Sequence, residues 1–338
     1  MDTTLTTENK SLVKQKKPKG LIVLLAIIVI GIIFSLFSIM TTKSSDTGFL
    51  TPWSKFTRGN YIAILRIEGT IASKSEYYDQ EWLLNTVRDL AEDEKNLGIV
   101  LDINSPGGAV FETDEVYLAL MDYKNQTNKP IVAYFEQIVA SGGYYIACAA
   151  DYIWSNRNTL TGSIGVVSGQ SFDLSRFFEK HGIQYSIFTA GKNKDMLGIA
   201  SPVTDEHRII MEDIANECYL QFCTIVSNSR NLSLEQTKVL ADGRIYTATQ
   251  AKKNGLIDTI GSLNSAKNWI IDLLGTEREK SRFIWFKPKK ETTVFSRLLN
   301  SAMYKSMADN KIENSLTTLN VLGLPGNLSF PAYYWTKF

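Results

Sequence analysis

The stretch Leu97-Gly98-Ile99-Val100-Leu101-Asp102-Ile103-Asn104-Ser105-Pro106-Gly107-Gly108 begins as an apolar run and ends in a glycine turn. A short run of this kind, closed by a turn, is typical of a buried strand. Because the two glycines carry no side chains, the turn leaves backbone N–H groups uncovered. The stretch therefore predicts a buried strand that presents hydrogen-bond donors at its carboxyl end.

Strands and helices alternate on both sides of this stretch. Strands are predicted where short apolar runs occur, and helices where apolar residues recur at helical spacing. The further predicted strands are 61–67, 130–135, 152–154, 164–167 and 185–188, and the predicted helices are 79–94, 112–125, 172–181, 205–229, 234–241 and 249–254. This alternation predicts an α/β fold with a parallel core.

A second glycine-containing segment, Ala140-Ser141-Gly142-Gly143, opens a predicted helix that runs to Ala150. Acyl transfer needs a nucleophile together with backbone donors aimed at the developing oxyanion. A serine at a helix start beside a glycine turn offers both, whereas either segment alone would more often be an ordinary turn. Ser141 is therefore the candidate nucleophile.

Several ordered motifs resemble the bacterial signal peptide peptidase (protease IV) family of serine proteases. They are Asn104-Ser105-Pro106-Gly107-Gly108, Ala140-Ser141-Gly142-Gly143-Tyr144-Tyr145, Leu160-Thr161-Gly162-Ser163-Ile164-Gly165-Val166, Gly191-Lys192-Asn193-Lys194-Asp195, Ser201-Pro202 and Ala241-Asp242-Gly243-Arg244-Ile245-Tyr246. The resemblance covers about Tyr61 to Ala266. It implies the fold shared by Clp protease subunits and crotonases, a superhelical core of repeated ββα units, here preceded by one transmembrane helix.

The resemblance also implies the site residues. Ser141 corresponds to the nucleophile of a serine–lysine dyad, and Lys194 to the lysine that acts as general base. Ser163 matches a hydroxyl that helps to hold this lysine. Gly108 and Gly142 correspond to the residues that supply the N–H groups of the oxyanion hole.

A lysine can act as a base if burial lowers its pKa from about 10.4 toward roughly 7–8. Lys192 lies two residues before Lys194 and shares one face with it if the segment is extended, so spacing alone leaves both open. A histidine base is hard to assign, because His181 and His207 lie in no recognisable motif. They also offer little basis for a zinc site.

Composition limits the remaining classes of protein function. The chain has 338 residues and a formal net charge of +1, and it lacks a basic stripe, which argues against nucleic-acid binding. Cys148, Cys218 and Cys223 are odd in number and lack a Cys-x-x-Cys spacing, so we interpret them as free, mostly buried thiols. No cofactor or metal is expected.

Residues 21–40 contain no charged side chain, and about twenty apolar residues are enough for a helix to span a bilayer. A cleaved signal peptide would have a shorter apolar core and a small-residue cleavage site. Lysines cluster before the span, at positions 10, 14, 16, 17 and 19, and are sparse after it. The positive-inside rule therefore predicts a cell-membrane anchor with a cytoplasmic N-terminus and an extracytoplasmic catalytic domain.

The predicted organisation is a cytoplasmic basic segment (1–20), a transmembrane helix (21–40), a linker (41–60), a serine–lysine peptidase domain (61–275) and a C-terminal extension (276–338). The aromatic end of the extension, Tyr334-Trp335-Thr336-Lys337-Phe338, could lie in the substrate groove. A contact with another subunit or with the membrane surface stays equally open for it.

The predicted function is a membrane-anchored serine endopeptidase that cleaves membrane-associated peptides such as remnant signal peptides. The chain has room for one copy of the domain, whereas some family members carry two, so we expect a homo-oligomer. Two alternatives are a crotonase-type acyl-thioester enzyme and a catalytically inactive membrane scaffold. The first leaves Ser141 and Lys194 unexplained, and the second need not retain the whole residue set.

Overall fold

A computed structural model of the protein describes residues 59–278, 281–288 and 332–334. The predicted basic segment, membrane span and almost all of the linker lie outside these residues. Among the helices of the described residues, none is long and apolar enough to cross a membrane.

One mixed sheet lies at the centre of the fold. It contains β1 (Tyr61–Glu68), β2 (Asn96–Ser105), β4 (Ile131–Ala140), β5 (Tyr152–Ser155), β6 (Leu160–Gly162), β7 (Ile245–Thr247), β8 (Thr259–Ile260) and β9 (Phe283–Phe286). The strand order is β7-β6-β4-β2-β1-β9, and β5 pairs with both β4 and β8. Every pair in this sheet is parallel except β6 with β7. The predicted α/β fold with a parallel core is therefore confirmed.

Eight helices surround the sheet in the described part of the chain. They are α1 (Gln80–Glu92), α2 (Val110–Thr127), α3 (Gly142–Ala147), α4 (Ser175–Lys180), α5 (Asp205–Arg230), α6 (Leu234–Leu240), α7 (Ala248–Lys253) and α8 (Leu263–Leu274). Successive residues of β2 enter two different core clusters, because side chains of a strand alternate between its faces. Leu101 belongs to the larger cluster, whereas Val100 packs in the cluster that contains Ile270 of α8. Burial on both faces explains the continuous apolar run.

Two predicted strands are wrong. The segment 164–167 is not a strand, because β6 ends at Gly162 and both Gly162 (φ 93°) and Ser163 (φ 49°) turn the chain out of extended geometry. The segment 185–188 pairs with no strand of the described residues, and Phe188 is 96% exposed. An apolar run forms a strand only where a neighbouring strand can bond to it.

Two strands come from the predicted C-terminal extension. β9 pairs in parallel with β1 and lies at the edge of the sheet. β10 (Ala332–Tyr334) pairs antiparallel with the short strand β3 (Gly107–Ala109), which follows the Ser105-Pro106 turn.

Candidate active site

Ser141 lies in a sharp turn between the end of β4 and the start of α3. Its backbone has φ 53° and ψ −120°, a conformation that residues with a side chain rarely adopt. Its N–H donates to the Gly162 carbonyl at 2.8 Å, and its carbonyl accepts from the Tyr145 N–H at 2.9 Å. Such a strained strand-to-helix turn is typical of serine nucleophiles. The side chain of Ser141 is buried.

The backbone of Gly108 faces this turn. The Ala109 N–H donates to the Ile71 carbonyl at 2.9 Å, and the Ile71 N–H donates to the Gly107 carbonyl at 3.0 Å. Because backbone groups alternate along a strand, the N–H of Gly108 points away from Ile71. The Gly108 nitrogen is 3.3 Å from the point where a Cβ on Gly142 would lie. The structure thus brings Gly108, Ser141 and Gly142 together.

Ser105 holds the glycine turn in place, a role that the sequence analysis missed. Its buried hydroxyl donates to the Gly69 carbonyl at 2.6 Å and accepts from the Gly107 N–H at 3.1 Å. A serine whose hydroxyl bonds the amide two residues later is a known turn motif. The sequence Ser105-Pro106-Gly107 therefore already indicated a turn held by the serine hydroxyl.

Two buried tyrosines fix the helix that follows Ser141. The Tyr144 hydroxyl donates to the Leu256 carbonyl at 2.7 Å. The Tyr145 hydroxyl donates to Asp114 at 2.5 Å and accepts from Gln221 at 2.7 Å. These bonds connect α3 to three other segments, so the surrounding fold can hold the strained turn.

Ser163 lies next to the same turn. Its N–H donates to the Arg244 carbonyl at 2.8 Å, and it follows Gly162, whose carbonyl accepts from the N–H of Ser141. Ser163 is 8% exposed and has a positive φ of 49°. Ser163, predicted to position the lysine, is therefore close in the fold to the predicted nucleophile.

Lys194, the predicted general base, lies on the surface of the described structure. Its side chain is exposed, and within the described residues its amine has no hydrogen bond or ion pair. Lys192 forms an ion pair with Glu206, which lowers the pKa of that carboxyl group. The structure therefore leaves Lys194 without the burial that a base requires, and it engages Lys192 elsewhere.

A charged cluster lies near the carboxyl ends of β1, β2 and β4. The guanidinium of Arg66 contacts Asp102 at 2.5 Å, Glu136 at 2.8 Å and Glu68 at 3.1 Å. Asp102 is fully buried, and burial outweighs the attraction of Arg66 and raises the pKa of Asp102 to about 6. Among the described residues, no cluster of three His, Cys, Asp or Glu side chains could hold a metal ion.

Strand β10 brings extended backbone to β3, which lies beside the turn at Ser141. In its register with β3, Tyr333 lies opposite Gly108, the residue whose backbone groups face away from Ile71. β10 also contacts α2 and α3. Addition of an extended strand to a free strand edge is a common mode of peptide recognition. The edge of β3 beside Ser141 can thus accept a peptide backbone.

Comparisons with known proteins place these features in a family. The model of peptidase family S49 matches residues 123–277. A protein of Synechocystis sp., provisionally named a protease, is 34% identical over 229 residues, which is 68% of this chain and 79% of that protein. The chain belongs to peptidase family S49. A protein of Enterococcus faecium, provisionally named signal peptide peptidase SppA, is 31% identical over 81% of this chain and 80% of its own length.

Two solved protease structures are also similar to this S49 chain. A membrane-bound stomatin-specific protease in complex with a substrate peptide gives a TM-score of 0.43 at 16% identity, over 72% of this chain and 100% of that chain. ClpP1 from Listeria monocytogenes gives a TM-score of 0.39 at 18% identity, over 60% of this chain and 93% of that chain.

Membership of family S49 makes the chain a serine protease. The fold brings together Gly108, Ser141, Gly142 and Ser163, and it leaves Lys194 exposed. The S49 site therefore has a strained serine and adjacent backbone donors, whereas the side chain of the predicted base, Lys194, is exposed.

Proposed function

We propose that this S49 peptidase is a serine–lysine endopeptidase in which Ser141 is the nucleophile and Lys194 the general base. The observation that carries the proposal is the strained turn at Ser141, which lies beside a glycine N–H and a strand edge paired with extended backbone. Lys192 is a weaker candidate for the base, because its amine is engaged in an ion pair with Glu206.

The reaction follows from these roles. The Oγ of Ser141 attacks the scissile carbonyl carbon while the neutral amine of Lys194 takes the hydroxyl proton. The N–H groups of Gly108 and Gly142 donate to the tetrahedral oxyanion. The resulting ammonium gives its proton to the leaving amine, and water then hydrolyses the acyl-enzyme by the same steps. No metal or cofactor takes part.

A second copy of the chain would supply the burial that Lys194 lacks. Most of the exposed large apolar side chains of the described residues fall between residues 172 and 220, on both sides of Lys194. They include Phe172, Phe177, Tyr185, Phe188, Ile209 and Leu220. A concentration of exposed apolar side chains in one segment is typical of a contact surface. We propose that homo-oligomerisation covers it and dehydrates the amine, which makes activity dependent on assembly.

The proposed substrates are extended peptides at the membrane, such as remnant signal peptides. Pairing with β3 suits an extended backbone, and the E. faecium relative carries the name signal peptide peptidase. The uncharged span at 21–40 and the lysines before it support an anchor with the catalytic domain outside the cytoplasm. In intact spheroplasts, added protease should shave the chain beyond about residue 45, and full protection would reverse this topology.

The dyad is tested by a serine-directed fluorophosphonate and three variants of the full chain. We expect labelling and peptide hydrolysis by the wild type, and neither in Ser141→Ala. Lys194→Met should also be silent, because methionine keeps the length and apolar stem but removes the amine. Lys192→Met is the matched control and should retain most of the activity.

The reverse result for the two lysines would move the base to Lys192. Full activity in both would end the serine–lysine assignment. Absence of labelling in an assembled wild-type protein would favour a crotonase-type enzyme or an inactive scaffold.

A further inference from the structure

Thr113 is a buried threonine whose hydroxyl has no partner. It lies in the first turn of α2, is 0% exposed, and its Oγ1 makes no hydrogen bond to any described residue. A threonine in a helix often bonds the carbonyl four residues earlier, which here is that of Ala109. Thr113 does not do so, and a buried polar atom without a partner requires an explanation.

The unpartnered hydroxyl lies at the nucleophile turn. Its Oγ1 is 2.6 Å from the point where a Cβ on Gly142 would lie, and the Gly108 nitrogen is 3.3 Å from that same point. The hydroxyl and the Gly108 N–H therefore converge on one side of Gly142, the residue that follows Ser141. The helix that carries Thr113 also contacts the extended strand β10.

We propose that Thr113 is a further catalytic residue, whose hydroxyl donates a hydrogen bond to the oxyanion together with the N–H groups of Gly108 and Gly142. This inference rests on the proposed function of Ser141. A hydroxyl kept dry and unpartnered gains its bond only when negative charge develops on the substrate oxygen. It therefore stabilises the transition state more than the bound substrate, which is the condition for catalysis.

The proposal also explains why glycine occupies position 142. A Cβ there would lie 2.6 Å from the Thr113 hydroxyl and 3.3 Å from the Gly108 nitrogen, and it would crowd both donors. An alanine would thus displace the oxyanion as well as the threonine. The glycine is needed here for close approach, since its φ is not in the positive range.

The test compares Thr113→Val with Thr113→Ser in the full chain. Valine keeps the shape and removes the donor, so kcat should fall about 10–100-fold while KM changes less than about twofold. Affinity for a peptide aldehyde, which forms a tetrahedral adduct with a serine, should fall in parallel. Serine restores the hydroxyl and should keep kcat within about threefold of the wild type. Thr113→Ala carries the same expectation as valine if the valine variant fails to assemble.

Thr86→Val is the matched control. Thr86 is also a buried helical threonine, but its hydroxyl already donates to the Trp82 carbonyl at 2.7 Å. Its loss should lower the melting temperature and leave kcat and aldehyde affinity unchanged. For Thr113→Val, removal of an unpartnered hydroxyl should leave the melting temperature equal or higher.

Wild-type kcat in Thr113→Val would overturn the inference. A loss of kcat that serine does not restore, or that leaves aldehyde affinity unchanged, would also overturn it, since either result indicates a packing role. The underlying assignment fails by different results, namely retained hydrolysis in Ser141→Ala or absence of labelling in the assembled wild type.

Discussion

Replacement of Ser141 by glycine should stabilise the protein while it abolishes activity. With φ 53° and ψ −120°, the serine occupies a backbone region that glycine enters without steric cost. A residue held in such a region costs about 1–3 kcal/mol. Glycine in turn lowers the folding stability by about 0.5–1 kcal/mol, because it gives the unfolded chain more conformational freedom. The net gain over Ser141→Ala, which keeps the strain, is about 1 kcal/mol.

Thermal unfolding of the full chain measures this difference. For a domain of this size, about 1 kcal/mol corresponds to roughly 2–4 °C in melting temperature. Ser141→Gly should therefore melt about 2–4 °C above Ser141→Ala, and both should be inactive. Comparison of these two inactive variants removes the effect of the lost hydroxyl, which both share.

Ser155 provides the control pair. It is a buried serine in β5, outside the set of residues with positive φ. There glycine should be less stable than alanine by about 0.5–1 kcal/mol. If Ser141→Gly melts at or below the temperature of Ser141→Ala, the serine is not strained, and the argument from its turn fails.

Three further predictions concern charge, space and the C-terminal strand. Because the pKa of Asp102 is raised to about 6, folding favours the protonated carboxyl. The free energy of unfolding should therefore fall by up to about 3 kcal/mol as pH rises from about 4 to 6.5, and Asp102→Asn should remove this dependence in urea titrations. Gly108→Ala would place a Cβ 1.8 Å from the Ile71 carbonyl oxygen, so peptide turnover should fall more than about 100-fold; near-normal turnover would contradict the placement of β3. Deletion of 332–338 should raise turnover of short peptides if β10 competes with them, whereas truncation after Gly275 also removes β9 and should lower the melting temperature.

Local patterns were enough to predict much of the fold. The apolar run before Asn104 is buried on both faces of the sheet, and its hydrophobicity alone indicates a central strand. The serine at the start of α3 was likewise predicted, because small residues and glycines mark its turn. These features depend on residues within one strand or one turn.

Features that depend on distant partners could not be predicted in this way. The conformation of Ser141 rests on a hydrogen bond to Gly162, and the orientation of the Gly108 N–H rests on Ile71. The segment 185–188 has the composition of a strand, yet no neighbouring strand reaches it in the described part of the chain. A single hydroxyl such as that of Thr113 produces no periodic sequence pattern. Its proposed role is recognisable only from its buried position in the fold.

The hydrogen bonds around Ser141 also bear on when its turn can form during synthesis of the chain. The serine is held by Gly162, and the adjacent Ser163 is held by Arg244 in a segment that enters the sheet as β7. The chain must therefore be synthesised as far as Arg244 before both hydrogen bonds can form. Until then the nascent chain carries Ser141 without these bonds, so we expect a partly synthesised chain to lack peptidase activity.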